Sequence, residues 1–137
     1  MRRLALILIP LLTACAGDPP KNIGVQNGQL TPCPSSPNCV SSYASDELHR
    51  IEPLKANIDQ IAKIVEQLDD TQIISRDNTY LYAEFTSALL GFVDDVEFLH
   101  DSDAAVTHVR SASRLGHSDL GANRERIEAL RAGLNEN

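Results

Sequence analysis

The chain has 137 residues, with 12 Lys+Arg, 19 Asp+Glu and a formal net charge of −7. That length suits a single domain, and the acidic balance, with no basic stripe interleaved with aromatics, excludes a nucleic-acid binder that works through phosphate contacts. With no tryptophan and three phenylalanines, the chain also lacks the residues of an aromatic-lined carbohydrate cleft.

At the N-terminus, Arg2 and Arg3 precede the apolar run Leu4 to Leu12. A run of about nine residues is too short to cross roughly 30 Å of hydrocarbon; a charged start, a short apolar core and small residues at the exit match a secretory signal. The exit, Leu12-Thr13-Ala14-Cys15, resembles the bacterial lipobox, in which cleavage just before the cysteine frees a thiol that carries diacylglycerol. Loss of residues 1–14 as a signal peptide leaves 123 residues and changes the net charge to −9. No polybasic patch adjoins Cys15, so lipid has to provide the anchoring, and stable anchoring takes more than one acyl chain. The expected location is the bacterial cell envelope, lipid-anchored and facing the periplasm. Ala16, in place of an aspartate, favours the outer over the inner membrane.

Residues 15–31 read as a lipidated tether, punctuated by Gly, Pro and Asn. The proline-rich "PCPSSPNCVSS" follows. Cys33 and Cys39 are the cysteines left beside Cys15, and an oxidising envelope favours their pairing as a disulfide. A redox pair more often shows C-x-x-C spacing. A metal site would need two further ligands that nothing nearby supplies.

Residues 48–52, "LHRIE", suggest a short first strand. Leu54, Ile58, Ile61, Val65 and Leu68 then recur at helical spacing, with Pro53 suited to the first turn. "TQIISR", the turn residues Asp77-Asn78, "YLYAEFTS", "FVDDVEFL" and "VTHVRSAS" read as four consecutive strands joined by short loops. "DLGANRERIEALRAGL" closes the chain as a helix, with Asp119 as N-cap and Leu120, Ile127, Leu130 and Leu134 on one face. The expected fold is α+β: a two-layer domain with a mostly antiparallel sheet of four to five strands covered by two helices, in the order β-α-β-β-β-β-α.

Strand alternation turns Leu81, Ala83, Phe85, Val96, Phe98 and Val109 to the core, with Tyr80, Tyr82, Glu84, Asp95, Glu97, His108 and Arg110 on the other face. Pairing Val96 with Val109 would set Asp95 opposite Arg110 and Glu97 opposite His108. The candidate polar site is Asp95, Glu97, Arg110, Arg114, Asp119 and Arg124. Arginines and backbone N–H groups at a helix start suit a phosphate or carboxylate. The same residue types suit a salt-bridge network, through Asp94, Asp95 and Glu97, that fixes the last helix to the sheet.

No metal or cofactor is expected. Asp94 and Asp95 point to opposite faces of a strand, which spoils an oxygen cage for a hard cation, and His49, His100, His108 and His117 lack ligand spacing. Ser111, Ser113, His108, His117 and Asp119 supply the types of a hydrolase triad without the G-x-S-x-G elbow. No phosphate-cradling glycine motif is present either.

"CPSSPNCVSS", "EFTSALLGFVDDVEFL" and "HVRSASRLGHSDLGANRERIEALR" together resemble the bacterial domain-of-unknown-function 1499 family, over residues 32–134. The resemblance implies one domain, often carried by envelope or membrane-anchored proteins, and offers neither an activity nor catalytic residues to transfer. The expected function is therefore a non-enzymatic module, held at the membrane by acylated Cys15, that binds an envelope protein or a small anionic ligand. The alternative is an enzyme using Asp95, Glu97, Arg110, Arg114 and Asp119. A lipid-carrying domain would instead need an apolar cavity between sheet and helices.

Overall fold

The computed structural model describes residues 16–136; Cys15 and the expected signal peptide lie outside them. A small hairpin, β1 (Val25–Gln26) and β2 (Gln29–Leu30), comes first, followed by β3 (Cys39–Ser41), α1 (Ile58–Val65), β4 (Thr71–Arg76), β5 (Tyr80–Thr86), β6 (Val93–Asp101), β7 (Val106–Ser113) and α2 (Ala122–Asn135). The main sheet has the order β3-β7-β6-β5-β4, antiparallel throughout. The class is α+β, with both helices on one face. Among the described residues no helix is long and apolar enough to cross a membrane.

Period-two alternation carries the core. Leu81, Ala83 and Phe85 of β5, Val96 and Phe98 of β6 and Val109 of β7 pack with Ile58, Ile61, Ala62 and Val65 of α1 and with Ile127 and Leu130 of α2. Phe98, Leu81, Val96, Val109 and Ile127 are wholly enclosed.

The first strand of the main sheet is β3, not residues 48–52. The latter join the sheet only through a bridge between Ser41 and Arg50; proline and polar turn residues on either side keep β3 to three positions. The first helix starts five residues after Pro53. Leu54 instead exchanges backbone hydrogen bonds with Thr107, at 2.9 and 2.7 Å, so its helical spacing from Ile58 is coincidental. Asn57 caps α1 through a capping box with Gln60. Past Val65 the chain turns away, with the Thr71 hydroxyl taking up the Val65 and Leu68 carbonyls, and this leaves Leu68 exposed.

The turn at Asp77 is as expected: its carboxylate accepts the amides of Thr79 and Tyr80. The hairpin register of β6 and β7 differs by two residues from the pairing of Val96 with Val109. Phe98 faces Val109, Glu97 faces Arg110, Asp95 faces Ala112 and Leu99 faces His108. A shift of two keeps every side chain on its face, so alternation alone does not register it; the tight turn at Asp101, which accepts the amides of Asp103 and Ala104, sets the pairing.

Candidate functional site

An acidic strand such as β6 ordinarily shows its charged face to water. Here Val93 to Phe98 are all buried, Asp95 and Glu97 at 1% and 0% exposure, because residues 17–34 fold back over that face as a strap. β2 lies against β6 and β7, Leu30 is buried, and the Gly24 amide donates to Glu97 Oε1 at 2.7 Å. Part of the stretch expected as a tether is thus packed on the domain. The Cys33–Cys39 disulfide, with a Cα–Cα distance of 5.7 Å, ties the strap to β3.

Beneath the strap lie two clusters. In one, Arg114 donates from Nε to Asp95 Oδ2 at 3.1 Å and from Nη2 to Asp95 Oδ1 at 2.6 Å and Glu84 Oε1 at 2.7 Å; its Nη1 reaches the Gly17 carbonyl at 3.3 Å. The Tyr82 hydroxyl donates to Asp95 Oδ1 at 2.6 Å. The Asp95 carboxylate raises the pKa of Arg114, while burial, with Asp95 beside it, raises that of Tyr82. This cluster is satisfied.

The other cluster is not. The Tyr80 hydroxyl donates to Glu97 Oε1 at 2.8 Å, but Glu97 Oε2 and Arg110 Nε have no hydrogen-bond partner among the described residues, and Arg110 Nη1 stands 3.7 Å from Glu97 Oε2. Burial raises the Glu97 pKa against the pull of Gly24, Tyr80 and Arg110, and burial lowers that of Arg110. Both shifts say that the desolvation of this pair exceeds its mutual attraction. Beside it opens a cavity of about 350 Å³, walled by Pro20, Asn22 and the Pro32–Pro34 turn of the strap and by Asp95, Arg110 and Arg114 of the sheet.

Asp119 and Arg124 do not join this site. Asp119 accepts the Gly121 and Asn123 amides at 2.9 and 3.0 Å at the start of α2, and Arg124 donates to the Arg50 and Leu48 carbonyls at 2.7 and 3.0 Å. Asp94, on the helix-side face, pairs with Arg126 at 2.5 Å, whose guanidinium also lies 5.0 Å from the centre of the Phe85 ring. The residues weighed together in the sequence are therefore split by strand alternation into a site under the strap and a lock on α2. Ser111 and Ser113 bond Asn123 in that lock, on the face away from His108. The Ser42 hydroxyl lies 3.0 Å from Nδ1 of His108. Among the described residues no three His, Cys, Asp or Glu side chains are grouped to hold a metal ion.

Tyr80, Tyr82 and Glu84 belong to the site beyond the six candidate residues, and strand alternation is the signal that sets them on the face of Asp95 and Glu97. Gly24 left no signal at all, because a backbone amide carries none.

The family described as "Protein of unknown function (DUF1499)" matches residues 29–134. Neither the curated proteins nor the solved structures contain a match to this chain. The matched region takes in the five-stranded sheet, both helices, the disulfide and every sheet residue of the cavity wall, and leaves out Gly17 to Gly28 of the strap: the chain belongs to the DUF1499 family.

Proposed function

We propose that the protein is a lipid-anchored module of the bacterial envelope, held at Cys15, with no catalytic role of its own, which binds a small anionic ligand at Arg110 under the strap. Arg110 carries this reading: a buried guanidinium beside a cavity of ligand size, with Nε unpartnered among the described residues. Arg114, the other arginine on that wall, is already occupied by Asp95 and Glu84. Because burial pushes Glu97 toward its neutral form, a proton on Glu97 leaves Arg110 as a cation without its close counter-charge. A carboxylate or phosphate would supply one, with the bidentate geometry that guanidinium favours. The small cavity and the nearby Asp95 suit a ligand with a single anionic group.

The leader ending in Leu12-Thr13-Ala14-Cys15 supports the anchor, and a strap that ends at the domain supports a site close to it. Catalysis by Asp95, Glu97, Arg110, Arg114 and Asp119 draws less support. Glu97 is fully enclosed and off the cavity wall, Asp95 is consumed by Arg114 and Tyr82, and Asp119 lies elsewhere.

Calorimetric titration of the purified, acylated protein with inorganic phosphate and with acetate tests the ligand. Saturable binding that is lost in Arg110→Gln and partly kept in Arg110→Lys is expected, and it should tighten as pH falls because Glu97 gains its proton. No binding of either anion by the native protein would end the reading. Mass spectrometry of the mature N-terminus tests the anchor, with a Cys15 bearing acyl groups expected.

A further inference from the structure

Five large apolar side chains stand in water at one end of the domain. Leu89, Leu90 and Phe92 lie in the loop between β5 and β6, exposed by 91%, 67% and 48%. Leu115 and Leu120 lie between β7 and α2, exposed by 46% and 93%. The two loops adjoin across one shallow depression, lined by Leu89, Leu90, Phe92 and Leu115; the carboxylates that also line it, Asp94 and Asp119, are taken up by Arg126 and by the amides of Gly121 and Asn123. Monomeric domains seldom group their exposed apolar residues in this way without using them.

The first loop is a built turn. The Ser87 amide donates to the Phe92 carbonyl at 2.8 Å and the Gly91 amide to the Ser87 carbonyl at 3.0 Å. The Phe92 amide donates to the Ser87 hydroxyl at 3.0 Å. Gly91 takes a φ of 66°, a backbone state in which side chains are costly. These bonds hold Leu89 and Leu90 outward.

The start of the described chain indicates what the patch meets. Gly17 sits against this same end: its carbonyl accepts from Arg114, and a Cβ at Gly17 would come within 3.1 Å of the Leu115 side chain. Cys15 lies two residues earlier, and since consecutive Cα atoms are 3.8 Å apart, its Cα is within about 8 Å of that of Gly17. Residues 87–92 carry no charge, and the Arg114 beside them is neutralised by Asp95 and Glu84. A strongly acidic chain has no electrostatic attraction to an anionic bilayer; here apolar contact takes that role.

We propose that this end of the domain, led by Leu89, Leu90 and Phe92, rests in the lipid surface beside the acylated cysteine, so that the domain lies on the membrane in a fixed orientation. This rests on the acylation of Cys15 in the reading above. The opposite end, with the turn between β6 and β7, then points into the aqueous space, about 26 Å away along the nine residues of β6.

The absence of tryptophan makes the test direct. The full acylated chain carries one tryptophan, either Leu90→Trp in the patch or Ala104→Trp in the distant turn. Each is reconstituted in vesicles of phosphatidylethanolamine and phosphatidylglycerol with brominated acyl chains. A blue-shifted emission that loses more than half its intensity for Leu90→Trp, with Ala104→Trp unquenched, is the expected result. Vesicle-bound protein in which neither tryptophan is quenched means a domain swinging clear of the bilayer, and equal quenching of both means a domain with no fixed face; either overturns the orientation while leaving the anchor intact. Protein whose mass shows no acyl group and which stays off the vesicles overturns the anchor and the orientation with it.

Discussion

At the scale of single residues, the least comfortable group in the molecule is Glu97. It is enclosed on all sides, with two hydrogen bonds to one oxygen and none to the other. Its pKa is raised above the ordinary 4.5, first by burial. For a group raised in this way, the folded state holds the proton more tightly than the unfolded one. Its contribution to stability is whole below the unfolded pKa and drains away as pH rises through the folded pKa. Glutamine at this position keeps a polar amide and does not titrate. The difference in stability between native protein and Glu97→Gln should therefore fall as pH rises from about 4.5, read from urea midpoints at intervals between about pH 4 and about pH 8. The acid losses of Asp46, Asp77 and Asp119, whose pKa values are lowered, are common to both proteins and cancel. A difference that stays level or grows with pH would mean that Arg110, at 3.7 Å, compensates the burial fully. The identity of this residue was legible, since an acid between core positions on a strand is plain in "VDDVEFL". Its burial was not, because the cover comes from a segment with no periodicity.

At the scale of elements, what was legible follows the strength of the local period. β5, β6 and β7 alternate cleanly over seven to nine residues and lie where alternation puts them. β4 is interrupted by a bulge at Ile73/Ser75, which leaves Ile74 exposed. Both helices start later than expected, for different reasons: α1 waits for the capping box at Asn57, and α2 for a turn through two left-handed residues, Leu120 at φ 53° and Gly121 at φ 85°. Asp119 is thus two residues ahead of the cap position, yet it does the work of a cap by accepting the amides of Gly121 and Asn123 and the Asn123 side chain. Burial opposes its ionisation, but the hydrogen bonds from Asn123 and Gly121 together with its own amide lower its pKa, so its contribution is present above the unfolded value of 3.8 and lost as pH falls below it. Asp119→Ala should cost about 0.5–2 kcal/mol at neutral pH, as the loss of a helix cap does, and should cost less as pH drops through that range. Asp119→Asn, which keeps an acceptor, should lose less. Chemical denaturation at neutral and acid pH reads all three outcomes, and an alanine variant as stable as the native protein would show that the other ties of α2, its core residues and the Arg126–Asp94 pair among them, suffice without the cap.

At the scale of the whole molecule, the strap joins two features that the sequence presents separately: the disulfide and the buried acids. Its N-terminal end leaves the domain at Gly17, its middle supplies the Gly24 amide to Glu97, and its C-terminal end is tied to β3 by Cys33–Cys39. Closing a loop of this size stabilises a fold by about 2 kcal/mol in the chain-entropy treatment, which is enough to hold down a flap but small beside the sixteen-residue core cluster that α1, α2 and the sheet bury without it. Removing the disulfide as Cys33→Ser with Cys39→Ser should therefore open the strap before it opens the domain. Amide hydrogen exchange separates the two: the Gly24 amide should exchange much faster in the double variant, while amides shared between β5 and β6 keep their protection. Once Gly24 lifts, Glu97 and Arg110 meet water, the mutual penalty of their burial falls, and the pH dependence described for Glu97 should shrink in the same variant. Unchanged exchange at Gly24 would mean that the strap is held by Leu30 and the Arg114 contact alone. Loss of protection in β5 and β6 together with Gly24 would mean that cover and core unfold as one unit, and the cavity at Arg110 could then open only by unfolding the domain.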